Sequence, residues 1–254
     1  MPDAIFAHPR LAPVYDTFDD DRDDLAAYLA IAGELGARTV LDVGCGTGSL
    51  AVLLARHGHT VVGVDPAEAS LDVARAKHAA RAKEAATAAD GAVEVHWLHG
   101  DATTLPALDA DLATMTGNVA QVFLTDTDWA RTLQGIRAAL RPGGHLVFET
   151  RRPEHRAWEE WAADTGPVTR DVPGVGRVER RSRVTAIDLP LVSFRFTYRF
   201  LADGAVVTSD STLRFRERDE VESSLTANGY RVLDVRQAPD RPGREFVFVA
   251  QRTS

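Results

Sequence analysis

The stretch Thr39-Val-Leu-Asp-Val-Gly-Cys-Gly-Thr-Gly-Ser-Leu50 decides the fold prediction. Its first half is mostly apolar, as in a buried strand, and its second half has glycine at alternate positions, Gly44, Gly46 and Gly48. Glycine has no Cβ, so it can adopt positive φ and let a ligand approach the backbone. A strand that turns through glycines into a helix is typical of nucleotide-binding sites in open α/β sheets. Because Ser49 occupies the sixth position, the spacing G-x-G-x-G departs from the dinucleotide pattern G-x-G-x-x-G.

Strand and helix patterns alternate on both sides of this stretch. The predicted strands are residues 39–43, 60–64, 93–98, 112–116 and 145–150. The predicted helices are residues 23–35, 49–57 and 67–79, and a fourth with the apolar stripe Trp129, Leu133, Ile136 and Leu140, capped by Asp126 or Thr127. This alternation predicts an α/β fold, with a mostly parallel sheet and helices on both of its faces.

The pattern changes after residue 150. Residues 153–166 have a helical pattern, and residues 167–215 alternate apolar and polar side chains, with a two-residue hairpin turn expected at Asp203-Gly204. We therefore expect a small antiparallel sheet of three or four strands, inserted as a lid after the fifth strand. A helix at 219–227 and strands at 230–236 and 246–251 then bring the main sheet to seven strands. The expected division is a core of residues 1–150 with an N-terminal helical cap, a substrate lid of residues 151–215, and residues 216–254 completing the core.

The run Val40-Leu-Asp-Val-Gly-Cys-Gly-Thr-Gly48 resembles motif I of the class I S-adenosylmethionine-dependent methyltransferases. The resemblance extends over about residues 11–150 and resumes over the last forty or so. It implies a Rossmann-like fold, S-adenosyl-L-methionine as cofactor and S-adenosyl-L-homocysteine as product. In that family the glycine turn lies under the methionyl end and ribose of the cofactor, and the helix N-terminus favours the methionine carboxylate.

The acids at the strand ends have distinct expected roles. The resemblance implies that Asp42 contacts the amino end of the cofactor and that Asp101 accepts from the adenine amine. Asp65 ends the second strand, where a carboxylate can accept hydrogen bonds from both ribose hydroxyls. Tyr15 resembles the tyrosine that covers the cofactor in many of these enzymes. The expected cofactor-binding residues are Tyr15, Asp42, Gly44, Cys45, Gly46, Gly48, Asp65, Pro66, Asp101, Ala102, Thr116, Gly117 and Asn118.

The sequence indicates the methyl acceptor less clearly than the cofactor. The segment after the fourth strand has neither an Asp/Asn-Pro-Pro-aromatic motif, nor Pro-Cys, nor an acidic metal cluster, so the resemblance is strongest to small-molecule methyltransferases without a metal. His155 is a candidate general base and Asn118 a second candidate catalytic residue. The candidate acceptor-binding residues are Arg151 and Arg152, which could hold an acid, and Trp158 and Trp161, which share one helical face.

Charge, hydropathy and cysteine content indicate which partners and which location to expect. The net charge of −8 argues against a nucleic-acid partner, and no apolar stretch is long enough to predict a membrane span. Cys45 is the only cysteine, which favours a reducing cytoplasm over a disulfide-bonded protein. We expect transfer of a methyl group to oxygen or nitrogen of a small molecule, by a chain that could form a homodimer. A non-catalytic S-adenosylmethionine- or S-adenosylhomocysteine-binding protein, and a nicotinamide-dependent oxidoreductase, remain open alternatives.

Overall fold

The computed structural model describes residues 1–19, 22–88, 94–164 and 166–254. The α-helices are α1 (Ala4–Ala7), α2 (Tyr15–Phe18), α3 (Leu25–Glu34), α4 (Ser49–Arg56), α5 (Glu68–Ala88), α6 (Asp126–Ala139), α7 (Ala157–Ala163) and α8 (Arg218–Ala227). The strands are β1 (Thr39–Val43), β2 (Thr60–Asp65), β3 (Val95–His99), β4 (Ala110–Met115), β5 (Leu140–Arg151), β6 (Val168–Val172), β7 (Gly176–Asp188), β8 (Leu191–Phe200), β9 (Val206–Arg214), β10 (Tyr230–Gln237) and β11 (Glu245–Arg252).

Seven of these strands form the main sheet, in the order β10-β11-β5-β4-β1-β2-β3. All neighbours in this sheet are parallel except those of β11, which runs antiparallel to both β10 and β5. Helices α6 and α8 cover one face, through residues such as Leu133 and Leu225, while α3 and α4 cover the other, through residues such as Ile31 and Leu54. The predicted Rossmann-like, mostly parallel sheet with helices on both faces is confirmed.

The segment between β5 and α8 contains a separate antiparallel sheet, in the order β6-β7-β8-β9. It packs against the N-terminal segment, where the rings of Phe18 and Tyr198 meet edge to face at 5.7 Å. Its other end packs against α7, where Trp158 lies 4.8 Å from Phe215. The second sheet that alternation predicted for residues 167–215 is therefore present, with four strands.

Several boundaries differ from the sequence prediction for local reasons. Helix α6 is capped by Thr125, whose hydroxyl accepts from the Asp128 N–H, and not by Asp126 or Thr127. The hairpin between β8 and β9 has a loop longer than two residues, because the Gly204 N–H bonds back to the Phe200 carbonyl. Residue 93, where the third strand was expected to begin, lies outside the described residues. No helix in the described ranges combines the length and apolar character that a membrane crossing requires.

Candidate active site

A cleft of about 1270 Å³ opens at the carboxyl edge of the parallel strands. We define its inner wall as the lining residues of the turn after β1 and of the ends of β2 and β3, within 42–47, 65–66 and 101–103. We define its outer wall as the lining residues of three distant segments, within 1–6, 119–124 and 210–212. Parallel α/β sheets bind ligands at this edge, because the crossover connections leave a crevice there.

The glycine turn that follows β1 forms the floor of the inner wall. Gly44, Gly46 and Gly48 have φ of 70°, 53° and 78°, in the left-handed region that favours glycine. A Cβ on Gly48 would clash with the ring of Trp97, whereas a Cβ on Gly46 would meet nothing within 4 Å. The first two glycines line the cleft, while Gly48 is needed for close packing against Trp97 of β3 and Ala74 of α5.

Asp65 fixes this turn to the end of β2. Its Oδ2 accepts from the Gly46 N–H at 2.9 Å and its Oδ1 from the Ala67 N–H at 2.8 Å. Burial raises the pKa of Asp65, and the two backbone donors oppose that shift. Each carboxylate oxygen has two lone pairs, so one acceptor site on each oxygen remains for ligand hydroxyls at the cleft surface.

Asp42 lies deeper in the same wall. Its Oδ1 accepts from the Thr114 hydroxyl at 2.9 Å. Burial raises the pKa of Asp42 to about 7, although the Thr114 hydrogen bond and the Arg22 guanidinium lower it. A positively charged group placed beside Asp42 would stabilise its ionised form.

The inner wall ends at the turn after β3. Asp101 caps this turn, where its Oδ1 accepts from the N–H and the hydroxyl of Thr103 at 2.8 and 2.6 Å. These contacts leave the other carboxylate oxygen of Asp101 available at the cleft, beside buried Ala102. Such an oxygen can accept from an exocyclic amine.

The N-terminal segment closes one end of the cleft. Tyr15 lines the cleft, its ring packs at a tilt against Phe6 with centroids 5.3 Å apart, and burial raises the pKa of its hydroxyl. Asp16 holds this segment in place, because it accepts from the Thr47 hydroxyl at 2.5 Å and from the Lys77 ammonium at 2.8 Å. The segment is therefore anchored to the glycine turn and to α5.

Most of the predicted cofactor residues come together in the cleft. Those that line it are Tyr15, Asp42, Gly44, Cys45, Gly46, Asp65, Pro66, Asp101, Ala102, Thr116 and Gly117. Gly48 packs behind the turn, and Asn118 is buried below the cleft, where its side-chain amide donates to Glu245 at 2.8 Å. Their contacts with a cofactor stay predictions.

The predicted acceptor residues lie away from the lining of the cleft. The Arg151 guanidinium donates to Gln121 at 3.0 Å and lies 5.1 Å from the Trp161 ring. Arg152 lies over Phe246 at 4.2 Å. Trp158 is in the packing of the second sheet.

His155 is also outside the cleft, with its Nε2 3.4 Å from a carboxylate oxygen of Glu160. Neither His155 nor Asn118 lines the cleft, so the structure does not bring the two candidate catalytic residues together there. The apolar packing of the two tryptophans and the contacts of Arg151 and Arg152 account for these four side chains without an acceptor, whereas Asn118 Oδ1 and His155 Nε2 are buried without a hydrogen-bond partner in the part of the chain that the structure describes.

The structure adds cleft residues that sequence reasoning missed. Asp3 belongs to the outer wall and is hydrogen-bonded to Ser211, and burial raises the pKa of Asp3. The missed residues with charged or aromatic side chains are Asp3, Phe6, Arg22, Phe123, Asp128, Arg131 and Asp210. They carry no local motif, because they meet only through tertiary packing. Over the ranges that the structure describes, no cluster of three or more His, Cys, Asp or Glu side chains could hold a metal ion.

Parts of the chain also resemble known proteins. Residues 40–144 match the family model described as a methyltransferase domain. Residues 40–144 thus resemble a methyltransferase domain, and the predicted Rossmann-like fold with a separate antiparallel sheet is confirmed. The cypemycin N-terminal methyltransferase of a Streptomyces species is 32% identical over 151 residues, which are 58% of this chain and 56% of that protein. The chain spans about half the length of the curated relatives it matches.

Two solved structures extend the likeness over nearly the whole chain. An S-adenosylmethionine-dependent methyltransferase from Clostridium acetobutylicum superposes with a TM-score of 0.74 at 16% identity, covering 96% of this chain and 98% of that one. CalS10, an amino pentose methyltransferase from Micromonospora echinaspora solved with S-adenosylmethionine bound, gives 0.68 at 24% identity, covering 94% and 97%. At these identities the likeness shows the fold.

Proposed function

We propose that this chain is an S-adenosylmethionine-dependent methyltransferase that acts on oxygen or nitrogen of a small molecule. The observation that carries the proposal is the inner wall, where an open glycine turn meets carboxylates at the ends of β2 and β3. The methyltransferase domain match supports the activity, and the bound cofactor of CalS10 supports the choice of ligand.

The residues of the inner wall fit the parts of this cofactor. Asp65 offers acceptor sites to the ribose hydroxyls, and Asp101 offers one to the adenine amine. Asp42 provides negative charge for the ammonium group. Arg22 also lines the cleft, outside the inner wall, but its guanidinium is paired with Asp19 and Asp24. The open space at Gly46 lets the backbone lie against the ligand. When bound, the cofactor supplies an electrophilic methyl group on its sulfonium.

The outer wall would bind the acceptor. Methyl transfer is an in-line displacement, so the wall has to hold a nucleophile in line with the methyl group and exclude water. Phe6 and Phe123 provide apolar surface, while Asp3 and Asp210 provide negative charge. An amine must lose its proton before it attacks, and a half-buried carboxylate with a raised pKa, such as Asp3, suits that task.

The size of the cleft also supports a small-molecule acceptor, since about 1270 Å³ has to contain the cofactor as well. A cytoplasmic location, suggested by the single free cysteine, remains part of the proposal. So do the homodimer, the division into core and lid, and the expectation of no nucleic-acid or membrane partner.

The experiment that tests the proposed function begins with calorimetric titration of S-adenosylmethionine, S-adenosylhomocysteine and NADH. We expect the first two to bind and NADH not to bind. Asp65→Ala should weaken binding by about 1–3 kcal/mol, through loss of hydrogen bonds to a charged group. Asp203→Ala is the matched control, because among the described residues Asp203 pairs with Arg10 and with its own loop at the surface.

Turnover is then measured as S-adenosylhomocysteine formed with panels of amines, phenols and carboxylic acids. Product with at least one panel supports the enzyme. Tight cofactor binding without product in any panel would favour the non-catalytic binding protein. Binding of NADH in place of S-adenosylmethionine would favour the oxidoreductase and would reject the proposal.

A further inference from the structure

A buried charged cluster supports the loop that follows β4. Glu149, on β5, has a fully buried side chain whose Oε1 accepts from the N–H groups of Gly117 and Asn118 at 2.7 and 3.2 Å. Its Oε2 accepts from the hydroxyl of Tyr28 on α3. The Glu149 carboxylate thus connects two distant segments, because Oε1 accepts from the loop after β4 and Oε2 accepts from α3.

The loop adopts a backbone conformation that needs such support. Gly117 and Asn118 have φ of 71° and 61°, so two consecutive residues lie in the left-handed region, and one of them has a Cβ. In this conformation their N–H groups converge on a single oxygen, as in backbone nests that bind anions. Glu149 supplies the anion from within the chain.

A second carboxylate extends the cluster to the C-terminal strands. Glu245 accepts from the side-chain amide of Asn118 at 2.8 Å and from the Arg241 Nε at 2.7 Å. Another guanidinium nitrogen of Arg241 lies 3.5 Å from Glu149 Oε1, so this arginine offsets the charge of both acids. Burial raises the pKa of Glu149, and the Glu245 charge adds to that shift, while the Tyr28 hydrogen bond and Arg241 oppose it.

We propose that Glu149 is a positioning residue for methyl transfer, which fixes the loop from Thr116 to Val119 at the junction of the inner and outer walls. Thr116, Gly117 and Val119 line the cleft, whereas Glu149 lies beneath them and does not line it. This inference rests on the proposed function. A displaced loop would disturb the alignment of acceptor and methyl group, while Asp65 and Asp101 would still hold the cofactor.

The test compares Glu149→Gln and Tyr28→Phe with Tyr230→Phe. Glu149→Gln keeps the side-chain shape but replaces one acceptor oxygen with a donor. Tyr28→Phe removes the hydroxyl that fixes the carboxylate. Tyr230→Phe is the matched control, because it also removes a buried hydroxyl, which donates to the Leu133 carbonyl away from this loop.

The first measurement is hydrogen exchange at the amides of Gly117 and Asn118, which requires no acceptor. We expect exchange there to be about tenfold faster in Glu149→Gln, faster by a smaller factor in Tyr28→Phe and unchanged in Tyr230→Phe. Where turnover is found, kcat should fall by roughly tenfold or more in Glu149→Gln while the cofactor Kd stays within about threefold.

Unchanged exchange at these two amides in both Glu149→Gln and Tyr28→Phe would overturn the inference. A parallel loss of cofactor affinity and kcat, with faster exchange over the whole chain, would also overturn it, because it indicates a general structural role. If Glu149→Gln does not fold, Tyr28→Phe against Tyr230→Phe decides the question. A wild-type chain with no turnover would reject the proposed function, whereas the exchange result would still show whether Glu149 orders the loop.

Discussion

The two walls of the cleft differ in how their residues are brought together. Each part of the inner wall directly follows or ends a strand of the parallel sheet, so its place in the sequence gives its place in space. The outer wall is assembled from the N-terminus, the loop after β4 and strand β9 of the second sheet. The contacts that support it, such as the Ile5 N–H to Ser209 hydroxyl bond at 2.8 Å, join residues about two hundred positions apart.

The two walls therefore depend on different structural features. The inner wall depends on backbone conformation, because the Gly46 N–H donates to Asp65 and the N–H groups of Gly44 and Cys45 donate to the Val64 carbonyl. The outer wall depends on side-chain packing between the second sheet and the N-terminal segment. Substitutions can therefore distinguish a wall that is wrongly folded from a wall that is correctly folded but does not bind.

The largest expected effect comes from the glycine turn. Gly48→Ala places a Cβ at positive φ against Trp97 and 2.9 Å from the Ala74 Cβ, so we expect a loss of about 2–4 kcal/mol in the free energy of unfolding. Gly46→Ala has the same kind of backbone strain but an open Cβ position, so its loss should be about 1 kcal/mol. Denaturant unfolding measures both values.

The order of the two variants should reverse for cofactor affinity. Relative to the stability that each variant loses, Gly46→Ala should lose more affinity for the cofactor than Gly48→Ala. The Gly46 Cβ would project into the open space of the inner wall, so Gly46→Ala should weaken S-adenosylmethionine binding although the fold is retained. Equal losses of stability in the two variants would contradict the packing difference. Unchanged affinity in Gly46→Ala would remove this position from the ligand surface.

The sequence predicts residues of the inner wall better than residues of the outer wall. Asp65 was identified because a strand pattern ends on it, and the structure places it in hydrogen-bond contact with the glycine turn. Asp3 and Ser211 could not be identified, since no periodicity relates an N-terminal residue to a strand of the second sheet. Trp158 and Trp161 were correctly placed on one helix, but the sequence could not show that Phe194 and Phe215 would cover them.

A smaller effect is expected from the pH dependence of the inner wall. Burial raises the pKa of Asp42 from 3.8 to about 7, so the unliganded fold keeps this proton over a range where the unfolded chain has lost it. The contribution of Asp42 to stability is therefore complete below about pH 4 and is lost as the pH rises to about 7. A bound ammonium group would lower this pKa again, so binding should release a proton from Asp42.

The expected outcome is an affinity for S-adenosylmethionine that rises between about pH 6 and 7, with a contribution from Asp42 of at most tenfold per pH unit. Asp42→Asn should lose this contribution. 5′-Methylthioadenosine, which lacks the ammonium group, is the matched ligand and should show no such rise. Calorimetry in two buffers of different ionisation enthalpy measures the released proton, and equal proton release in wild type and Asp42→Asn would exclude Asp42 as its source.

The smallest effect concerns His155, which sequence reasoning made the candidate general base. Its Nε2 faces Glu160 outside the cleft, so His155→Gln should change kcat/KM by less than about threefold. Asp3→Asn is the matched outer-wall variant, and it should lower kcat/KM for an amine acceptor more strongly, with an unchanged cofactor Kd, because it removes a carboxylate that lines the cleft. Steady-state kinetics with saturating cofactor gives both values. If His155→Gln abolished turnover and Asp3→Asn did not, the acceptor would have to bind beside α7, and the outer wall defined here would lose its role.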